Sequence, residues 1–169
     1  LFRLNKSAMT TQLIIFGARD LIFVILVIIV FFFARLPRQK KIDFVLFAAL
    51  SLPLAYLAAK LAALGFPESR PFIAEHFTPL VPHADTNSFP SGHTLFSTAF
   101  ALLVFKMNRS FGLFLLVLAL LVGTGRVFAG VHYPIDIAGG FLIACGAAYI
   151  ASKLMPFART SYNRFADKE

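Results

Sequence analysis

A single cysteine, Cys145, lies inside an apolar run, so the chain can form no intrachain disulfide. Charge is also scarce. Only 14% of the 169 residues are charged, where ordinary soluble domains carry about 25%. Acidic residues are scarcer still, 8 against 16 Lys and Arg, leaving a formal net charge of +8. No internal repeat, low-complexity segment or cleavable signal peptide is visible: the first long apolar run has no small-residue cleavage site and ends in a basic cluster. What fills the chain is apolar surface, 59% of residues, including 21 Phe. That excludes a disordered chain, and a soluble domain this size could not hide so many apolar side chains. Mean hydropathy is +0.79, and the implied solvent is a bilayer.

A spanning helix needs about 20 largely apolar residues. Five runs approach or meet this: Leu21–Leu36, Phe44–Leu64, a short His93–Met107, Phe111–Phe128 and Ile135–Met155. Arg19 and Asp20 open the first run, so they belong near the interface, and Thr10–Ala18 reads as an interfacial helix feeding it. A longer or re-entrant first element is the alternative. The expected fold is an all-α polytopic membrane helix bundle, five spans plus an N-terminal interfacial helix, six helices in a single domain over residues 1–169.

The positive charge marks a side of the membrane rather than a nucleic acid partner. Arg35, Arg38, Lys40 and Lys41 crowd the first link, Lys106 and Arg109 the third, and Lys153, Arg159, Arg164 and Lys168 the tail. With five spans these fall on one side, which the positive-inside rule makes cytoplasmic, with the N-terminus out and the C-terminus in. Arg3 and Lys6 count weakly against it. The opposite side receives the proline-rich loop 68–89 and the link Ala129–Pro134.

The unusual polar residues gather on that side. They are Ser69-Arg70-Pro71-Phe72, then Pro90-Ser91-Gly92-His93, Arg126, and His132-Tyr133-Pro134-Ile135-Asp136. Each has a structural explanation when taken singly. Arg70 and Arg126 can snorkel to headgroups, Ser91 can cap a helix, and Pro134 with Asp136 suits a helix start. His93 can be a hydrogen-bonded bundle residue. Five such coincidences at one face point instead to a site for phosphate. A helix N-terminus at a Ser-Gly turn offers N–H groups, and two Arg offer forked donors. Two His can divide nucleophile and general acid between them. Asp136, four residues after His132, can hold one imidazole N–H and so fix the tautomer.

This pattern resembles the phosphatidic acid phosphatase type 2 superfamily of membrane lipid phosphatases. Its three-part signature is Lys-x6-Arg-Pro, Pro-Ser-Gly-His and Ser-Arg-x5-His-x3-Asp. The chain has Arg70-Pro71, Pro90-Ser91-Gly92-His93 and Gly125-Arg126-x5-His132-x3-Asp136, a likeness covering Lys60 to about Gly140. Within the family it is most similar to the bacitracin-resistance type of undecaprenyl diphosphatase. Arg70-Pro71-Phe72, Leu80-Val81-Pro82-His83-Ala84, Ser88-Phe89-Pro90-Ser91 and His132-Tyr133-Pro134 carry that likeness. Phosphatidate or phosphatidylglycerol phosphate is the rival substrate, and a non-catalytic headgroup-binding protein the rival class.

The resemblance implies that Arg70, Arg126, Ser91 and the Gly92 N–H hold the phosphoryl group. It also implies that His132 attacks phosphorus to form a phosphohistidine, His93 protonates the leaving oxygen and Asp136 orients His132. The partners implied are a lipid phosphate or diphosphate and the membrane lipids, in a bacterial cytoplasmic membrane with the site facing outward. No cofactor is expected. The chain departs from the family twice. Gly125 stands where the motif has Ser. The motif lysine falls on Ala63, with Lys60 three residues earlier on the same helix face, either reaching the phosphate or serving structure. His83 and Asp85 suggest a metal pair, but two arginines in one site oppose a cation, so no metal is expected. His83 reads as a loop residue held by a backbone hydrogen bond.

Overall fold

A computed structural model describes residues 8–166, so Arg3, Lys6 and Lys168 lie outside the described residues. Among these the chain is helical, in six pieces. They are α1 (Ala8–Ala34), α2 (Arg38–Gly65), the short α3 (Pro71–Ala74), α4 (Gly92–Met107), α5 (Arg109–Phe128) and α6 (Pro134–Ala166). Four of them, α1, α2, α5 and α6, are long and apolar enough to cross a membrane, and α4 is a shorter apolar helix. The chain is a multi-pass membrane protein.

The expected N-terminal element is helical, but it is not separate. It runs into the first span through a π-turn, Phe16–Asp20, in which the Leu21 N–H bonds back to the Phe16 carbonyl. Ala8–Ala34 is therefore one helix of 27 residues. Arg19 and Asp20 satisfy each other at 2.8 and 3.1 Å on its exposed side.

Helix α4 packs against α5, α6 and α2, while α1 lies along α5 and α2 pairs with α6. Ile25, Phe44, Phe47, Val104 and Leu115 form a core toward one end of the bundle. A small-residue cluster of Ala55, Ala99, Ala144 and Ala147 lets α2, α4 and α6 approach in its middle. Phe33 stacks at a tilt on Phe44 and Phe32 on Phe111, while Phe31 faces outward, so that run serves both core and lipid. Gly139 and Gly140 stand at close contacts. A Cβ on Gly140 would lie 2.7 Å from the Ser91 carbonyl, which presses α6 onto the turn before α4. Gly146 faces open space and makes no such contact.

The two ends of the bundle differ. The basic links and the Arg159–Asp43 ion pair share one end. The loop 66–91, the start of α4, the end of α5 and the start of α6 share the other. Helix α4 rises roughly 24 Å at 1.5 Å per residue, short of the ~30 Å hydrocarbon core.

Candidate active site

The loop before α4 is built to hold Arg70. Asn87 ties it to the end of α2, its amide donating to the Ala63 and Phe66 carbonyls and its Oδ1 accepting from the Glu68 N–H. Arg70 precedes α3, whose first residue is Pro71. Its Nη2 donates to Thr86 Oγ1 at 3.2 Å and the Asn87 carbonyl at 3.1 Å, and its Nη1 to the Val131 carbonyl at 3.0 Å. The side chain is 5% exposed, and burial draws its pKa down from the ordinary guanidinium value, with Asp136 and Asp85 opposing. Nε has no protein partner.

The same Nη1 lies 3.3 Å from His132 Nε2. On the other side of the ring, Nδ1 lies 3.1 Å from Asp136 Oδ2. The network assigns the tautomer. A carboxylate accepts, so Nδ1 carries the proton; a guanidinium donates, so Nε2 presents its lone pair. Asp136 Oδ2 also accepts from the Ser88 hydroxyl and, at 2.8 Å, from the Tyr133 N–H. Both Asp136 and Ser88 are fully buried. The Ser91 N–H bonds to the Asp136 carbonyl at 3.0 Å, which locks the turn before α4 to the start of α6.

Ser91 itself does what its structural explanation says. Its Oγ caps α4, accepting from the Thr94 hydroxyl at 3.2 Å and the Thr94 N–H at 3.5 Å. The Gly92 and His93 N–H groups in that first turn have no helix carbonyl to meet, and open space lies beside Gly92. His93 is half-buried there, within electrostatic reach of Arg126, His132, His83 and Arg70. Arg126, in the last turn of α5, is 3% exposed. Its Nη1 donates to the Ala18 carbonyl at 3.1 Å, while Nε and Nη2 are buried without a protein partner. Two buried guanidinium groups with unused N–H bonds thus border an imidazole that offers a lone pair. Burying such donors is costly unless an acceptor arrives, and phosphoryl oxygens fit both their charge and their geometry.

His132 is 2% exposed, and burial holds its pKa below the ordinary imidazole range, helped by Arg126 and Arg70 and opposed by the Asp136 hydrogen bond. The imidazole is neutral above its lowered pKa. Turnover that needs the Nε2 lone pair is therefore expected to persist as pH falls through 6.5 and to be lost only at more acid pH. The check is the acid limb of kcat/KM against pH; a limb above 7 contradicts the assignment.

His83 Nδ1 donates to the Ala84 carbonyl at 3.2 Å, as expected of a loop residue. It is also nearer the chemistry than that reading implies. Its ring stands edge-on to His132 with centroids 5.9 Å apart, and burial with the nearby arginines pushes its pKa down to about 4. Lys60 is exposed. Its ammonium lies 5.5 Å over the Tyr56 ring, on the wall of a groove of about 350 Å³ between α2 and α4. That groove runs past Leu95 and Phe96 to Gly92 and Thr86. Of three residues that support the cluster, Thr86 and Asn87 are not singled out from sequence, and Ser88 is named there only within the closer likeness, with no role of its own. Their only signal is position, immediately before Phe89-Pro90-Ser91.

The chain belongs to the PAP2 superfamily, whose family model matches residues 44–160. It is 31% identical over 122 residues to "Undecaprenyl-diphosphatase BcrC" of Bacillus subtilis, a match covering 72% of this chain and 62% of that protein. It is 34% identical over 149 residues to "Putative undecaprenyl-diphosphatase YbjG" of Escherichia coli, covering 85% of this chain and 74% of that one. The chain thus spans about three-fifths of the length of the Bacillus relative. The crystal structure of Aquifex aeolicus LpxE shares the fold, with a TM-score of 0.67 at 24% identity and 88% of each chain covered.

Proposed function

We propose that the protein is a membrane lipid phosphatase that hydrolyses undecaprenyl diphosphate to undecaprenyl phosphate and inorganic phosphate. The observation that carries this reading is the His132 ring, with Nδ1 on Asp136 and Nε2 facing the Arg70 guanidinium. In the reaction, Nε2 attacks the terminal phosphorus and an N–P bond forms as the bridging P–O bond breaks. His93 gives its proton to the departing lipid phosphate oxygen. Arg70, Arg126 and the Gly92 N–H neutralise the charge on the transferred phosphoryl group, the main catalytic task in such transfers. Asp136 stabilises the positive charge that His132 acquires. Water then breaks the N–P bond, releasing phosphate and restoring the imidazole. No step needs a metal, and two guanidinium groups at the phosphate oppose a cation there.

The choice of a polyprenyl diphosphate rests on the names of the relatives and on the mostly apolar groove beside Gly92, which suits a hydrocarbon chain that stays in the bilayer. The site is proposed to face outward from the bacterial cytoplasmic membrane, because the basic links mark the other end as cytoplasmic. The N-terminus is then outside and the C-terminus inside. In this setting Lys60 greets the anionic headgroup at the mouth of the groove.

The test is phosphate release by the purified protein in detergent with EDTA present, offering undecaprenyl diphosphate and phosphatidic acid side by side. The expected result is EDTA-resistant turnover with preference for the diphosphate. Preference for phosphatidate keeps the mechanism and moves the substrate to glycerolipids. Binding without release from either lipid overturns catalysis, and loss of turnover in EDTA overturns metal independence.

A further inference from the structure

Arg126 is anchored from a helix that carries none of the family's motif residues. Its Nη1 bonds to the carbonyl of Ala18, a residue of the π-turn in α1 that is 1% exposed. A π-turn is wider than an α-turn and locally shifts the carbonyl ladder, a feature that recurs at functional sites. At this level α1 and α5 meet backbone to backbone. A Cβ built on Gly125 would stand 2.7 Å from the Ala18 nitrogen and 2.8 Å from the Gly17 carbonyl carbon. Both neighbours are main chain, so neither can swing aside. Across the contact, a Cβ on Gly17 would lie 3.9 Å from the Gly125 Cα. Ala18 then packs with Val81, Ala129 and Val131, joining the π-turn to the loops that carry the site.

We propose that the π-turn of α1, seated on Gly125, is a positioning device for Arg126. The Ala18 carbonyl takes one edge of the guanidinium, and this turns the unpartnered Nε and Nη2 to the phosphoryl group. The inference rests on the reading of Arg126 as a phosphate ligand. It also explains why glycine replaces the motif serine at position 125. A serine side chain there would drive α1 away and withdraw the carbonyl that holds Arg126. The first helix is in this way part of the site's wall, and Ala18 acts through Arg126 rather than on the substrate.

The test restores the motif residue. Gly125→Ser is expected to lower kcat/KM by about 10²-fold, the scale of a 1 Å misplacement of a binding group. The loss should appear in kcat as well as in KM, because Arg126 serves the transferred phosphoryl group, and it should come with weaker inhibition by inorganic phosphate. Gly146→Ala, on an open face of α6, controls for adding a methyl group to a helix glycine and should change neither. A double-mutant cycle separates positioning from general damage. In an Arg126→Ala background, Gly125→Ser should cost little more activity per folded enzyme, although the crowding at the α1–α5 contact lowers its melting temperature in either background. Wild-type activity in Gly125→Ser overturns the inference, as do fully additive losses in the cycle. An Arg126→Ala enzyme with full activity sinks the phosphate-ligand reading and the inference with it. A crippled Arg126→Ala beside an unimpaired Gly125→Ser sinks the inference alone.

Discussion

Replacing His132 by alanine is expected to abolish phosphate release from every substrate the enzyme accepts, by about 10⁴-fold or more. The size follows from the role. A residue that only bound the phosphoryl group would share that work with Arg70, Arg126 and the helix N-terminus, and its loss would be partly covered. A nucleophile has no substitute within reach: His83 is edge-on at 5.9 Å between centroids and lacks a carboxylate partner of its own. The partner Asp136 supplies a graded control. Asp136→Asn keeps the shape but allows the side-chain amide to donate to Nδ1, which moves the proton to Nε2 and takes away the attacking lone pair. Where a buried Asp holds a catalytic histidine, that change costs roughly 10⁴-fold. Ser88 donates to the same carboxylate oxygen, so Ser88→Ala should loosen rather than abolish the pair and give a smaller loss. The direct measurement is an acid-labile phosphoenzyme trapped from wild type in a single turnover and absent from His132→Ala. Appreciable residual turnover in His132→Ala, or an unchanged phosphoenzyme yield, would rule out attack by this histidine.

How much of this site could be read from the chain depends on what kind of signal each residue leaves. The spans are legible because bilayer depth demands long apolar runs, and even the short α4 matches the run found for it at His93–Met107 within one residue. Arg70, Arg126, His132 and Asp136 are legible because charge is expensive next to a membrane and stands out against so apolar a background. Their convergence is a matter of helix ends falling on one side. The continuity of α1 is less visible. Arg19 and Asp20 look like a boundary in sequence, yet they neutralise each other on an exposed face, and the π-turn absorbs the irregularity without breaking the helix. Thr86, Asn87 and Ser88 are harder still. In a proline-rich loop there is no periodicity to say which polar side chain turns inward. Ser91 fits two roles by residue type, phosphate donor and helix cap, and the two are compatible: its oxygen accepts as the cap, which leaves its own proton to be donated. Gly125 is legible only as a departure from a pattern. The reason for it lies in Gly17 and Ala18, more than a hundred residues away in the chain.

His93→Ala is expected to discriminate between substrates, and so to separate the general acid from the nucleophile. His93 sits in the first turn of α4, half-buried, next to the Gly92 N–H proposed to hold the phosphoryl group. What it is asked to supply depends on the leaving group. From a lipid diphosphate the leaving group is a phosphate anion, weakly basic and further stabilised by the neighbouring guanidinium groups, so it departs with little need of a proton. From a monoester such as phosphatidic acid the leaving group is an alkoxide, strongly basic, which cannot depart without one. General acid catalysis contributes about 10²–10⁴-fold where it is needed. His93→Ala should therefore cut phosphatidate turnover toward the upper end of that range and diphosphate turnover by roughly tenfold or less. Measured on one preparation with both lipids, the ratio of the two losses cancels any change in the amount of folded enzyme. Equal losses would mean that His93 contributes binding or structure common to both reactions. A larger loss on the diphosphate would mean that it contacts the second phosphate rather than the leaving oxygen. The predicted inequality also bears on how one fold can serve both substrate classes. If the nucleophile and the two arginines are common to both, the acid is what a monoester needs and a diphosphate nearly does without, so selection for a diphosphate leaves position 93 the least constrained of the catalytic residues.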